Sequence, residues 1–172
     1  MAGLGFLSFK RGDYVTMLRS MRRAVTAEPT NATYRAQLGF ANYSFQRPER
    51  GIAAMRRALA MDSSLEWVRI SLARLYVMDG KLDRARRYVE AMLPTAADSA
   101  DAFYTLGWVA FMQHDWPEAL AYVDRALSVR PEDIDWLADR AAILREMGTD
   151  PAEVRRLAAI VADSANARIA RG

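Results

Sequence analysis

The sequence predicts an all-α fold: a single domain of about five helix-turn-helix repeats, closed by a C-terminal capping helix. Three observations predict it. Marker residues recur at a fixed step of 34, the apolar residues between them recur at three and four, and no useful stretch alternates with period two. A spacing of three and four puts apolar side chains on one face of a helix, whereas a strand would need the period of two.

The clearest unit runs from Asp101 to Asp133, marked by Leu106-Gly107, a turn at His114-Asp115, then Ala119, Ala126 and Pro131. One step back lie Leu72-Ala73, Gly80, Ala85 and Met92, and two steps back Leu38-Gly39, Gln46, Gly51 and Ala58. The third step gives Leu4-Gly5, Gly12-Asp13-Tyr14, Ala24 and Pro29, and one step forward gives Ala141, Gly148 and Ile160. The units therefore span about 1–31, 32–65, 66–99, 100–133 and 134–172. Leu4 already answers to Leu38, so the first unit begins part-way into its first helix, as a trimmed array or a slice of a longer protein would.

Each marker has a physical reason. Small residues at Gly5, Gly39, Ala73, Gly107 and Ala141 let the first helix of a pair approach the second, and Ala24, Ala58 and Ala126 do the same from the second helix, with the larger Met92 as the exception. Gly12, Gly80 and Gly148 suit a turn that needs positive φ. Asp115-Trp116-Pro117-Glu118 and Thr149-Asp150-Pro151 restart a helix with a capping side chain just before a first-turn proline. Pro29 and Pro131 close second helices. Asp150 to about Arg171 reads as one long helix whose Arg155, Arg156, Asp163, Asn166 and Arg168 give the polar outer face that ends a repeat array.

A 34-residue period with a Leu-Gly pair, a Gly-Asp-Tyr turn, two later alanines and a closing proline resembles the tetratricopeptide repeat family over nearly the whole chain. Arg35 and Arg69 depart from it, standing where the family prefers the large apolar residue that Phe103 supplies, and Arg140 replaces the leucine of the other units. The resemblance implies a right-handed superhelical solenoid, first helices lining its concave side, and a protein-binding role. It also implies the inward-facing positions: Phe6 and Phe9, then Phe40 and Tyr43, then Trp67, Ile70, Arg74, Val77 and Met78. The fourth unit gives Tyr104, Trp108, Phe111 and Met112, and the fifth Ala138, Ala142 and Arg145. Aromatic residues and methionine suit an adaptable apolar binding surface. Chaperone-binding members of the family clamp a terminal carboxylate with Lys and Asn, where this chain has Phe6, Phe40, Arg74 and Trp108. Recognition of an acidic C-terminal tail is therefore not expected.

Little in the chain points to catalysis. Cysteine is absent, so no disulfide framework or thiolate site exists. The one histidine, His114, falls in a turn and reads as a solvated residue. The acids Glu132, Asp133 and Asp135 sit between repeats and read as a helix cap more than a metal site. No phosphate-cradling loop, HExxH or nucleophile elbow occurs, so neither an enzyme nor a cofactor is expected. No stretch has the apolar length of a membrane span, and the first residues make a poor signal peptide. Net charge is +3, with lysine only at positions 10 and 81; that arginine bias, with abundant alanine, fits a GC-rich bacterial genome.

The expected function is a scaffold holding a protein or peptide partner in an aromatic groove. The alternative is a periplasmic repeat segment of a bacterial envelope export or secretion assembly, its groove stacking against a glycan. A complete chain favours the cytoplasm, and a fragment leaves the periplasm open. Second helices carry clustered arginines, with Arg22 and Arg56, and Arg23 and Arg57, one repeat apart. Solvated faces account for these as well as an anionic partner does, and nucleic acid is not expected.

Overall fold

The computed structural model describes residues 11–44, 47–93 and 99–169. Phe6 and Phe9 lie outside them. The described residues are all-α, with nine helices and no strand among them. They fall into two compact units divided between Asp79 and Gly80.

The unit up to Asp79 holds α1 (Arg11–Ala27), α2 (Ala32–Ser44), α3 (Pro48–Met61) and α4 (Glu66–Met78). The unit from Gly80 holds α5 (Leu82–Glu90), α6 (Ala100–Met112), α7 (Trp116–Val129), α8 (Ile134–Glu146) and α9 (Pro151–Ile169). First helices begin at 32, 66, 100 and 134, a step of 34 each time. Second helices α3, α5 and α7 begin at 48, 82 and 116 with the same step.

Side chains just ahead of three of the four first helices set those starts, whereas Leu65 ahead of α4 offers no side-chain cap. Asn31 Oδ1 accepts the Tyr34 N–H at 3.0 Å, Ser99 accepts that of Ala102, and Asp133 accepts that of Trp136. Asp133 of the acidic trio is thus a cap. Asp115 and Asp150 cap α7 and α9 through Glu118 and Glu153 N–H groups. The turn inside a pair is equally regular: Gly80, His114 and Gly148, one step apart, have φ of 70°, 61° and 66°. His114 takes the left-handed conformation that glycine takes in its sister repeats, and its ring meets Trp116 edge-on at 5.1 Å. Gly12 differs from expectation: it lies within α1 and not in a turn between helices.

Small residues set the spacing within a pair. A methyl group on Gly39 would lie 2.8 Å from the Gly51 carbonyl oxygen, and one on Gly51 2.7 Å from that of Gly39. The backbones of α2 and α3 are therefore in contact. Two repeats on, Gly107 faces Val123 and the Ala119 carbonyl in the same way, with slightly more room. Around these contacts Leu18, Ala36, Met55, Ala58 and Leu72 are buried in one unit. Phe103, Leu106, Val123, Ala126, Ile143 and Leu157 are buried in the other.

The three departures from the family pattern find their reasons here. Arg35 and Arg69 donate to the Pro29 and Ser63 carbonyls, each at 2.9 Å and each six residues back, so they tie down the preceding loop. Phe103 fills the equivalent place by burial, with the Arg125 guanidinium 4.0 Å above its ring. Arg140 bonds Asp124 of α7 at 2.6 Å and Glu153 of α9 at 2.9 Å, linking three helices where leucine would have packed between two.

Candidate partner-binding faces

The unit up to Asp79 carries the first candidate face, on α2 and α4. Trp67, Arg74 and Met78 are seven and four residues apart, which aligns them on one side of α4. Trp67 is 42% and Met78 53% exposed, and Arg74 is half-buried. Phe40 and Tyr43 of α2 are half-buried, and the Tyr43 hydroxyl lies 3.8 Å from Met78 Sδ. Burial, with the Asp79 carboxylate adding, raises the Tyr43 phenol above its ordinary value, so it stays a donor. Ile70 and Val77 do not belong to this face. At 5% and 1% exposed they sit in the core, because α4 buries more than one stripe of its surface.

The unit from Gly80 carries the second face, on α6 and α8. Trp108 is half-buried and Met112 is 46% exposed, four residues apart and so on one side of α6. Two expected neighbours are committed elsewhere. Tyr104 is buried, stacked on Trp136 of α8 at 4.9 Å between ring centroids. Its hydroxyl donates to Asp139 Oδ2 at 2.5 Å. Phe111 meets Trp116 edge-on at 5.2 Å, in the joint between α6 and α7. Ala138 and Ala142 of α8 are half-buried and Arg145 is exposed.

Two residues that sequence reasoning passed over complete this joint. Trp136 stands where other first helices carry Tyr34, Val68 and Ala102, so no repeat marker singled it out. Asp139 is an acid half-way along a helix, away from any cap, and that position is its signal. Burial raises its carboxyl above the usual aspartate range; the Tyr104 hydrogen bond opposes this, and the Asp135 and Asp133 carboxylates add to it. An unfolded chain would titrate this group near the ordinary value of about 4. Its contribution to stability is therefore full below that value and is lost as pH rises through the raised one. Asp139→Asn keeps an acceptor for Tyr104 and removes the titration. Urea unfolding across this window should show the variant gaining on the parent as pH rises, and a pH-independent difference would contradict the assignment.

The second-helix arginines do not form one uniform ladder. Arg86 pairs with Glu118 at 2.7 Å and reaches Gln113, Arg87 bonds the Asp83 carbonyl, and Arg125 covers Phe103. Among the described residues Arg19, Arg22, Arg23, Arg56 and Arg57 make no ion pair.

Comparison with known proteins accords with this geometry. Two models described as tetratricopeptide repeat match, one over residues 43–109 and one over residues 100–133, and together they take in more than half of the chain. Cellulose synthase operon protein C of Pseudomonas fluorescens (strain SBW25) is 32% identical over 98 residues, covering 57% of this chain and 7% of that protein. The chain therefore spans a small part of the length of that relative. Among solved structures, pilF of Pseudomonas aeruginosa superposes with a TM-score of 0.80 at 19% identity, over 93% of this chain and 72% of that one. YrrB, described as a TPR protein with an unusual peptide-binding site, gives 0.67 at 23% identity, over 85% and 75%. The repeat read in the sequence, the helix starts at steps of 34 and the two matching models agree: the chain belongs to the tetratricopeptide repeat family.

Proposed function

We propose that this chain is a protein-interaction scaffold whose first-helix faces hold an apolar segment of a partner. One observation carries the reading. Of the six large apolar residues that stand exposed among the described residues, three (Trp67, Met78 and Met112) lie at the first-helix positions implied by the family. Trp108, partly buried, joins them. A helix face that met only water would carry polar side chains there, and the repeats already bury enough leucine, valine and alanine to hold their pairs together. Aromatic rings and flexible thioethers suit an extended or helical segment laid across them. Tyr104 and Phe111 support the face from below and touch the partner little. Phe6 and Phe9 belong to the proposal only as sequence positions.

The test is to select peptides from a displayed random library on the immobilised protein and to map where the winners bind. Apolar winners that map to these faces support the reading; winners that map to other surfaces sink it.

A second reading has one observation of its own, the 32% identity to a protein named for a cellulose synthase operon. On that reading the exposed Trp67 and the partly buried Trp108 stack against sugar rings, and a soluble cello-oligosaccharide, with no peptide, shifts the same side chains.

A further inference from the structure

Charge is not shared evenly along this chain. Residues up to Asp79 hold twelve Lys and Arg against six Asp and Glu, a net +6, whereas those from Gly80 hold twelve against fifteen, a net −3. The excess gathers at an open cleft of about 630 Å3 on α1, lined by Val15, Leu18, Arg19, Arg22, Arg23 and Arg47. Arg22 and Arg23 lie three and four residues after Arg19, so each neighbours it on the helix surface, and Arg47 precedes α3. Among the described residues no acidic side chain lines the cleft. Its apolar part is aliphatic: Leu18 is buried at 5% exposed and Val15 stands out at 42%.

Repeat packing does not require this arrangement. One step on, the positions of Val15, Arg19, Arg22 and Arg23 are held by Glu49, Ala53, Arg56 and Arg57. Two steps on they are held by Asp83, Arg87, Glu90 and Ala91, and three steps on by Pro117, Ala121, Asp124 and Arg125. Later repeats thus place acids where the first places Val15 and Arg22. Three like charges within about a turn of one another repel, and among the described residues none of the three has an ion-pair partner.

We propose that the α1 cleft is a docking site for an acidic protein segment punctuated by aliphatic residues. Planar guanidinium groups at three- and four-residue spacing match carboxylates, which they bind through paired hydrogen bonds. The aliphatic patch gives an apolar side chain of the same segment a place to bury. Nucleic acid fits less well: among the described residues that line the cleft none is an aromatic ring that could stack on a base. A long polyanion also answers to the charge of the whole chain, which is only +3. This surface lies on a second helix and is independent of the first-helix faces.

The test uses the intact chain and a short fluorescent peptide alternating Glu and Leu, read by anisotropy at low and moderate salt. Arg22→Glu with Arg23→Glu should weaken binding about tenfold or more, while Arg56→Glu with Arg57→Glu, an equal charge change outside the cleft, should weaken it less than about threefold. Arg22→Lys with Arg23→Lys, which keeps the charge but not the paired hydrogen bonds, should fall between the parent and the glutamate pair, and circular dichroism should be unchanged in all three. Equal loss in the cleft and control variants, or no loss in the first, overturns the proposal. So does tighter, cleft-dependent binding of labelled oligothymidine or of phosphatidylserine vesicles than of the peptide.

Discussion

Gly51→Ala is expected to destabilise the unit up to Asp79 by about 1–3 kcal/mol, and Gly39→Ala by a similar amount. In an ordinary helix interior glycine-to-alanine gains up to about 1 kcal/mol of helix propensity. Here that gain is outweighed by overlap with atoms that cannot rotate away. The new methyl on residue 51 would sit 2.7 Å from the Gly39 carbonyl oxygen and 2.8 Å from Tyr43 Cβ, so α2 and α3 must move apart. Parting them strips contacts from Met55, which is fully buried. Gly107→Ala is the informative contrast. Its methyl meets a Val123 methyl at 3.0 Å and the Ala119 carbonyl at 3.3 Å, and small shifts relieve both, so the cost should nearly cancel against propensity. Urea midpoints for the three variants check the ordering. A neutral Gly51→Ala would mean that α2 and α3 do not pack through their backbones.

Replacing Trp108 and Met112 together by glutamine is expected to weaken binding of a library-selected apolar peptide by about tenfold or more. Both side chains keep part of their surface in solvent on α6, and that part is what a bound segment would cover. Aromatic anchors at an interface core commonly carry losses of this size, whereas rim residues do not. Helical content should stay at the parental level. Tyr104 is a poor choice for the same purpose, because its substitution would break the stack on Trp136 and the bond to Asp139 and so act on the joint between α6 and α8. Peptide affinity unchanged in the double variant would remove α6 from the binding surface.

Much of the fold could be read from residue spacing, because the features that set it are local. Asp115, Asp133 and Asp150 announce helix starts, Gly80 and Gly148 announce turns, and Gly39 and Gly107 announce close helix pairs. His114 shows where this reading is weakest: only its 34-residue distance from Gly80 and Gly148 reveals that it adopts their backbone conformation. The site was less legible, for a reason of geometry. A first helix has neighbours on several sides, so one period of three and four cannot separate a face turned to solvent from one turned to the next repeat. Ile70, Val77 and Tyr104 stand at positions that the family resemblance implies to face inward, and each is buried. Arg140 taught the converse lesson, since a charge at a leucine position can pack when acids on both flanking helices, Asp124 and Glu153, meet it.

The most direct measurement is a methyl spectrum of the protein labelled with 13C at its methionine methyl groups, recorded as a library-selected peptide is added. Met78 and Met112 are exposed on first helices, Met61 is 43% exposed on a second helix, and Met55 is buried. The scaffold reading predicts that the Met78 signal, the Met112 signal or both move while those of Met61 and Met55 stay in place. Shifts at Met61 with Met78 and Met112 unmoved would contradict it, and shifts of Met78 and Met112 with a cello-oligosaccharide but with no peptide would transfer the same faces to the glycan reading.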